Sequence, residues 1–110
     1  MTGSMHPRFQ GIYAATVSPL RDDFSLDEDA LVSHCQSVSK VRGIRGLLVN
    51  GHAGENFSLN HTEQRRVLET TRDAVDPDLT LICGINHESS HEAAMQAKDA
   101  ASSGADALMV

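Results

Sequence analysis

The chain has 110 residues, enough for one domain built on one core. Its formal net charge of −6, with basic residues scattered and Arg65-Arg66 the only adjacent pair, argues against nucleic acid or an anionic membrane as a partner. Hydrophobic residues at 40% against 22% charged exclude a disordered or fibrous chain, and aromatics at only 4% leave a core that is aliphatic and alanine-rich.

Residues 1–8 carry no apolar stretch of the kind a signal peptide needs and read as a flexible N-terminus. Four short apolar segments follow at intervals of roughly thirty residues: Ile12 to Val17, Leu47 to Asn50, Leu79 to Cys83 and Ala107 to Val110. The second and third are continuous apolar runs, which suits strands covered on both faces and so a parallel sheet. No apolar run is long enough to cross a membrane. Cys35 and Cys83 lie in separate apolar segments, too few for a disulfide scaffold, and point to a reducing cytoplasm with both thiols as small core residues.

Three helical patterns lie between the strands, each opening on a small polar residue with glutamate three positions on: Ser25 with Glu28, Asn60 with Glu63, Ser89 with Glu92. The first places Leu31, Cys35, Val38 and Val41 on one face and Asp29, Ser33 and Lys40 on the other. The second buries Val67, Leu68, Thr71, Ala74 and Val75, and its charges, Glu63, Arg65, Arg66, Glu69, Arg72 and Asp73, read as a solvated face. The third carries a stripe of small residues, Ala93, Ala94, Ala97, Ala100 and Ala101, with Gly104 placed to end it.

Strands alternating with helices define an α/β chain with right-handed crossovers. Two architectures fit, part of a (β/α)8 barrel or an open doubly wound sheet. The last apolar segment has no helix after it to cover the strand, which reads as about half of something larger.

Several motifs compete as sites. His87-Glu88-Ser89-Ser90-His91 fits the H-E-x-x-H pattern of zinc hydrolases, but there both histidines share one face of an established helix. Here the match straddles a loop-to-helix junction, so a polar loop with a helix cap is the better reading and no metal is expected. Lys40 and Lys98, the only lysines, fall within helices, whereas a Schiff-base lysine must reach a desolvated pocket. Tyr13 reads as core or barrel lining. The loop Gly51-His52-Ala53-Gly54-Glu55-Asn56 is different: in a barrel it lies at the carboxyl end of the second strand, where substrate binds. Its glycines let the backbone turn sharply and bring N–H groups close to an anion such as a carboxylate.

Four stretches, in order, resemble the N-terminal half of the dihydrodipicolinate synthase and N-acetylneuraminate lyase superfamily: Gly11-Ile12-Tyr13-Ala14-Ala15-Thr16-Val17-Ser18-Pro19-Leu20; Gly51-His52-Ala53-Gly54-Glu55; Leu59-Asn60-His61-Thr62-Glu63-Gln64-Arg65; and Gly104-Ala105-Asp106-Ala107-Leu108-Met109-Val110. The resemblance implies a (β/α)8 TIM barrel, of which residues 9–110 supply the first four strands and three helices. It also implies a homotetramer and class I aldolase or lyase chemistry on pyruvate or a related 2-oxo acid, with no cofactor. In that family a lysine on the sixth strand forms the Schiff base, a tyrosine moves protons, and the loop holds the carboxylate. Gly51, His52, Ala53 and Gly54 are then the substrate-binding residues and His52 a catalytic candidate. By the same resemblance the lysine and tyrosine lie beyond residue 110, so these residues alone are expected to be inactive.

The loop departs from the family at its centre, where His52 and Ala53 replace two hydroxyl residues. The Ala53 N–H remains available to a carboxylate, and imidazole at position 52 is able to donate a hydrogen bond or shuttle a proton. This favours a different aldehyde partner or a dehydratase-type reaction. The alternative is a barrel that binds 2-oxo acids without turning them over; the zinc hydrolase is a remote third.

Overall fold

The computed structural model describes residues 7–110; of the flexible start expected at residues 1–8, positions 1–6 lie outside the described residues. Pro7–Phe9 form one 3-10 turn. Strands β1 (Ile12–Ala15), β2 (Ile44–Val49), β3 (Thr80–Gly84) and β4 (Ala107–Met109) alternate with helices α1 (Glu28–Ser39), α2 (His61–Ala74) and α3 (Ser90–Ser102). The strands form one parallel sheet in the order β1-β2-β3-β4, so neighbours in sequence are neighbours in space. This is the α/β alternation read from the sequence.

The pleat divides the strand residues between two environments. Leu47, Val49, Leu81 and Cys83 point into the core with Leu31, Cys35, Val67 and Leu68 from the helices, and all are buried. The other face carries Ala15, Leu48, Gly84 and Met109 and is open. The sequence reading of strands covered on both faces therefore holds for one face within these residues. Tyr13 pairs with Gly46 across β1 and β2, and a Cβ at Gly46 would stand 2.1 Å from the Thr80 carbonyl oxygen and 2.8 Å from Cε2 of the Tyr13 ring. Glycine there is required by sheet and ring together. Tyr13 is half-buried, and its hydroxyl has no hydrogen-bond partner among the described residues.

The helix starts agree with the sequence in two cases of three. Asn60 accepts from the Glu63 N–H while the Glu63 carboxylate takes the Asn60 N–H, a full capping box. Ser89 accepts from the Glu92 N–H. The first helix starts later than expected: Asp27 is its cap, accepting from the Ala30 N–H at 3.1 Å, while Ser25 bonds Asp23. Glu28 is thereby freed to reach across to Arg66 of α2.

Other differences follow from helix length and packing. Val41 lies past the end of α1 and is 57% exposed. On α3 the buried stripe runs through Ala93, Ala97 and Ala100, with Gln96 between them, whereas Ala94 and Ala101 face solvent. The charges of α2 are no purely solvated face: Arg66 pairs with Glu28 of α1 and Arg65 with Asp99 of α3 at 2.9 Å, so α2 is tied to both neighbours. Gly104, with φ of 113°, follows the α3 C-cap as expected.

Candidate active site

The loop after β2 is shaped by its own residue types. Asn50 takes the left-handed conformation at φ 57°, which asparagine, with its short polar side chain, is one of the few residues to tolerate, and the chain turns off the strand. Two consecutive turns follow: the Gly54 N–H donates to the Gly51 carbonyl at 3.1 Å and the Glu55 N–H to the His52 carbonyl at 3.0 Å. Among the described residues, the N–H groups of His52 and Ala53 enter none of these bonds. They are donors that the loop's own turns leave over.

Three contacts hold the loop from below and behind. Gly54 is buried against the segment leaving β1, where a Cβ would lie 3.2 Å from the Thr16 carbonyl oxygen and 3.3 Å from the Ser18 hydroxyl. Gly84, at the end of β3, touches the Asn50 backbone so closely that a Cβ would lie 2.3 Å from its carbonyl oxygen. Asn50 Nδ2 donates to the Gln64 carbonyl at 2.8 Å, and Gln64 Nε2 returns to the Asn56 and Leu59 carbonyls at 2.8 and 3.2 Å. The loop is thus fixed by backbone and amide groups while its centre projects.

That centre borders an open cleft of about 570 Å³. The carboxyl ends of all four strands contribute to it, through Ala15, Leu48, Gly84 and Met109, and Gly51, His52 and Ala53 line one side. His52 is exposed and its ring meets that of Phe57 edge-on, with centroids 6.4 Å apart at 70°. Of the predicted site residues, Gly51, His52 and Ala53 therefore share one surface. Gly54 is buried behind them as the packing point of the turn.

Other candidates fall elsewhere. His87 lies before the Ser89 cap and accepts from the Ser89 N–H through Nδ1 at 3.0 Å, while His91 is in the first turn of α3. The helical face that an H-E-x-x-H site requires is not formed. Lys40 caps the end of α1 and Lys98 lies on α3; both are exposed and neither borders the cleft. Cys35 and Cys83 are buried free thiols, and burial pushes both above the ordinary thiol range, which makes them inert core residues. Asp99, bonded by His61 and then by Arg65, has its carboxyl held below the ordinary carboxylate range, and it ties α2 to α3 behind the site.

Sequence reasoning overlooked Asn50 and Gln64. Asn50-Gly51 is a turn dipeptide, a signal that a strand ends there but not that its side chain is buried. Gln64 lies inside the third motif, where its role behind the loop is invisible without the fold.

The model of the dihydrodipicolinate synthetase family matches residues 8–110. The chain belongs to that family. Among its curated relatives, the 4-hydroxy-tetrahydrodipicolinate synthase of Methanothrix thermoacetophila is 35% identical over 102 residues, which cover 93% of this chain and 34% of that protein. Among solved structures, CdNal from Clostridium difficile, determined in complex with mannosamine, superposes with a TM-score of 0.84 at 30% identity over 91% of this chain and 34% of that one. Dihydrodipicolinate synthase from Aquifex aeolicus gives 0.81 at 27% identity, over 91% and 33%. These are TIM barrels, and the four-stranded sheet with its helices is the corresponding part of one. The chain spans about a third of the length of the relatives it matches, less than the half read from the sequence.

Proposed function

We propose that the barrel to which these residues belong is a Schiff-base-forming class I aldolase or lyase acting on pyruvate or a related 2-oxo acid. The reading rests on one observation above others: the N–H groups of His52 and Ala53, unused by the loop's own turns, border a cleft at the carboxyl ends of the strands. Backbone donors so placed suit a carboxylate, and they need no hydroxyl side chain. Family membership and the synthase relatives support the same class.

In this reading the carboxylate of the 2-oxo acid sits on the loop through Gly51, His52, Ala53 and Gly54, with Gly54 acting through the turn. A lysine amine condenses with the 2-oxo carbon and water leaves. The protonated imine then accepts the electron pair released when a C–C bond breaks or, for a dehydration, when the neighbouring C–H is deprotonated. In the second case the enamine so formed expels the oxygen, which leaves with its bonding pair as water after protonation, and no metal is required. Lys40 and Lys98 are turned away from the cleft, so the amine comes from another part of the barrel. His52 offers an imidazole where the family's loop offers a hydroxyl and governs proton traffic or the choice of aldehyde partner. The enzyme is cytoplasmic and a homo-oligomer, a tetramer by family resemblance, and residues 9–110 contribute the first four strands of its barrel domain.

The test is reductive trapping. The full-length protein is incubated with pyruvate and borohydride, and peptide mass spectrometry looks for the reduced pyruvate adduct on a lysine. An adduct supports the reading; its absence across several 2-oxo acids, with thermal stabilisation by the same compounds, shifts it to a barrel that binds without turnover.

A further inference from the structure

Behind the loop, where the ends of β2 and β3 meet α2 and α3, lies a separate small cavity of about 20 Å³, partly open to solvent. Asn50 and Gln96 both line it, and they are 3% and 9% exposed. Each carries a buried amide oxygen, Oδ1 and Oε1, with no hydrogen-bond partner among the described residues. The Asn50 amide is not free to turn over: its Nδ2 donates to the Gln64 carbonyl at 2.8 Å, and a flip would set two oxygens against each other. The charged groups on the cavity wall are already engaged, since Asp99 takes both His61 and Arg65. A small neutral molecule that donates to Asn50 Oδ1 and bonds the Gln96 amide suits such a wall.

Buried acceptors of this kind are seldom left unsatisfied, and a volume of roughly 10–15 Å³ is enough for one water. We propose that the cavity holds a single ordered water that donates one hydrogen to Asn50 Oδ1 and the other to Gln96 Oε1. The bridge joins α3 to the residue that turns β2 into the cleft loop. It gives Gln96, the one polar residue in the buried stripe of α3, a reason to be there. The inference does not depend on which chemistry the cleft performs.

A high-resolution crystal structure of the full-length protein tests it, together with the Gln96→Leu variant, which removes the acceptor at similar side-chain volume. The expected result is a solvent peak within about 3.2 Å of both oxygens. The peak is lost in Gln96→Leu while Asn50 keeps its bond to Gln64. An empty cavity in the parent protein, or a peak unmoved in the variant, overturns the proposal. Should the variant not crystallise, water relaxation dispersion in solution gives the same answer, because the count of long-lived internal waters drops on substitution if the bridge exists and stays constant if it does not.

Discussion

The two ends of the parallel sheet are built on opposite rules. At the amino ends of β3 and β4, polar groups close on one another. Asp106 accepts from the Leu81 N–H at 2.9 Å and returns its own N–H to the Leu81 carbonyl at 2.8 Å. Arg72 reaches Asp106 at 3.5 Å and donates to the Asp76 and Leu79 carbonyls at 2.7 and 3.1 Å. Gly104 lies beneath it, where a Cβ would stand 2.8 Å from Arg72 Cγ. At the carboxyl ends, left-handed Asn50 and Glu55 turn the chain so that the N–H groups of His52 and Ala53 are among those left unused beside an open cleft. One end spends its hydrogen bonds on holding the strands, and this lets the other keep donors for a ligand.

The contrast breaks most visibly at Gly84. Gly84→Ala places a methyl 2.3 Å from the Asn50 carbonyl oxygen, and the obstacle is backbone, so the loop must move. Overpacking of this sort costs about 1–3 kcal/mol or more; urea unfolding should show that loss, and trapping of a 2-oxo acid should fall with it. Asp106→Ala at the closed end should also cost about 1–3 kcal/mol by orphaning the Leu81 N–H and removing the carboxylate beside Arg72, whose guanidinium keeps the Asp76 and Leu79 carbonyls, yet leave ligand binding at the cleft intact. Equal damage to binding from both variants would erase the distinction between the ends.

Asn50→Ala should destabilise by about 1–2 kcal/mol through left-handed strain and the lost bond to Gln64, and Asn50→Gly by less, because glycine accepts the conformation. The Asp99 tie gives a pH signature. Its carboxyl is held low first by His61 and then by Arg65, so its contribution is fully present above the ordinary carboxylate range and is lost as pH falls through the lowered value. Acid titration followed by thermal unfolding should show that loss in wild type, and Asp99→Asn should flatten it. His52→Thr has the smallest expected effect on stability, within about 0.5 kcal/mol for an exposed side chain. Its effect should appear instead in substrate range; unchanged activity and selectivity would make His52 a bystander.

Much of this was legible in the residues. The strand-helix alternation, the Asn60 and Ser89 caps and the position of the His52 loop follow from periodicity and turn chemistry, which are local. What escaped depends on packing between elements. Ser25 has the composition of a cap, but Asp27 takes the role, which leaves Glu28 to pair with Arg66 of another helix. Ala94, expected in the stripe, faces solvent because α3 is turned to set Gln96 against the end of β3, a fact no stripe of small residues announces. The role of Asn50 likewise depends on Gln64, whose carbonyl arrives from α2.

The strand order carries a kinetic consequence. Because β1, β2, β3 and β4 pair in the order in which they are made, each of these strands after the first finds a partner in the unit just synthesised, and none of the three ladders between them waits for a distant segment. Loop closure then costs about the same at every step. Emerging from the ribosome, the chain should accrete one strand-helix unit at a time onto an edge already formed, a growing template rather than a collapse awaiting its last residue.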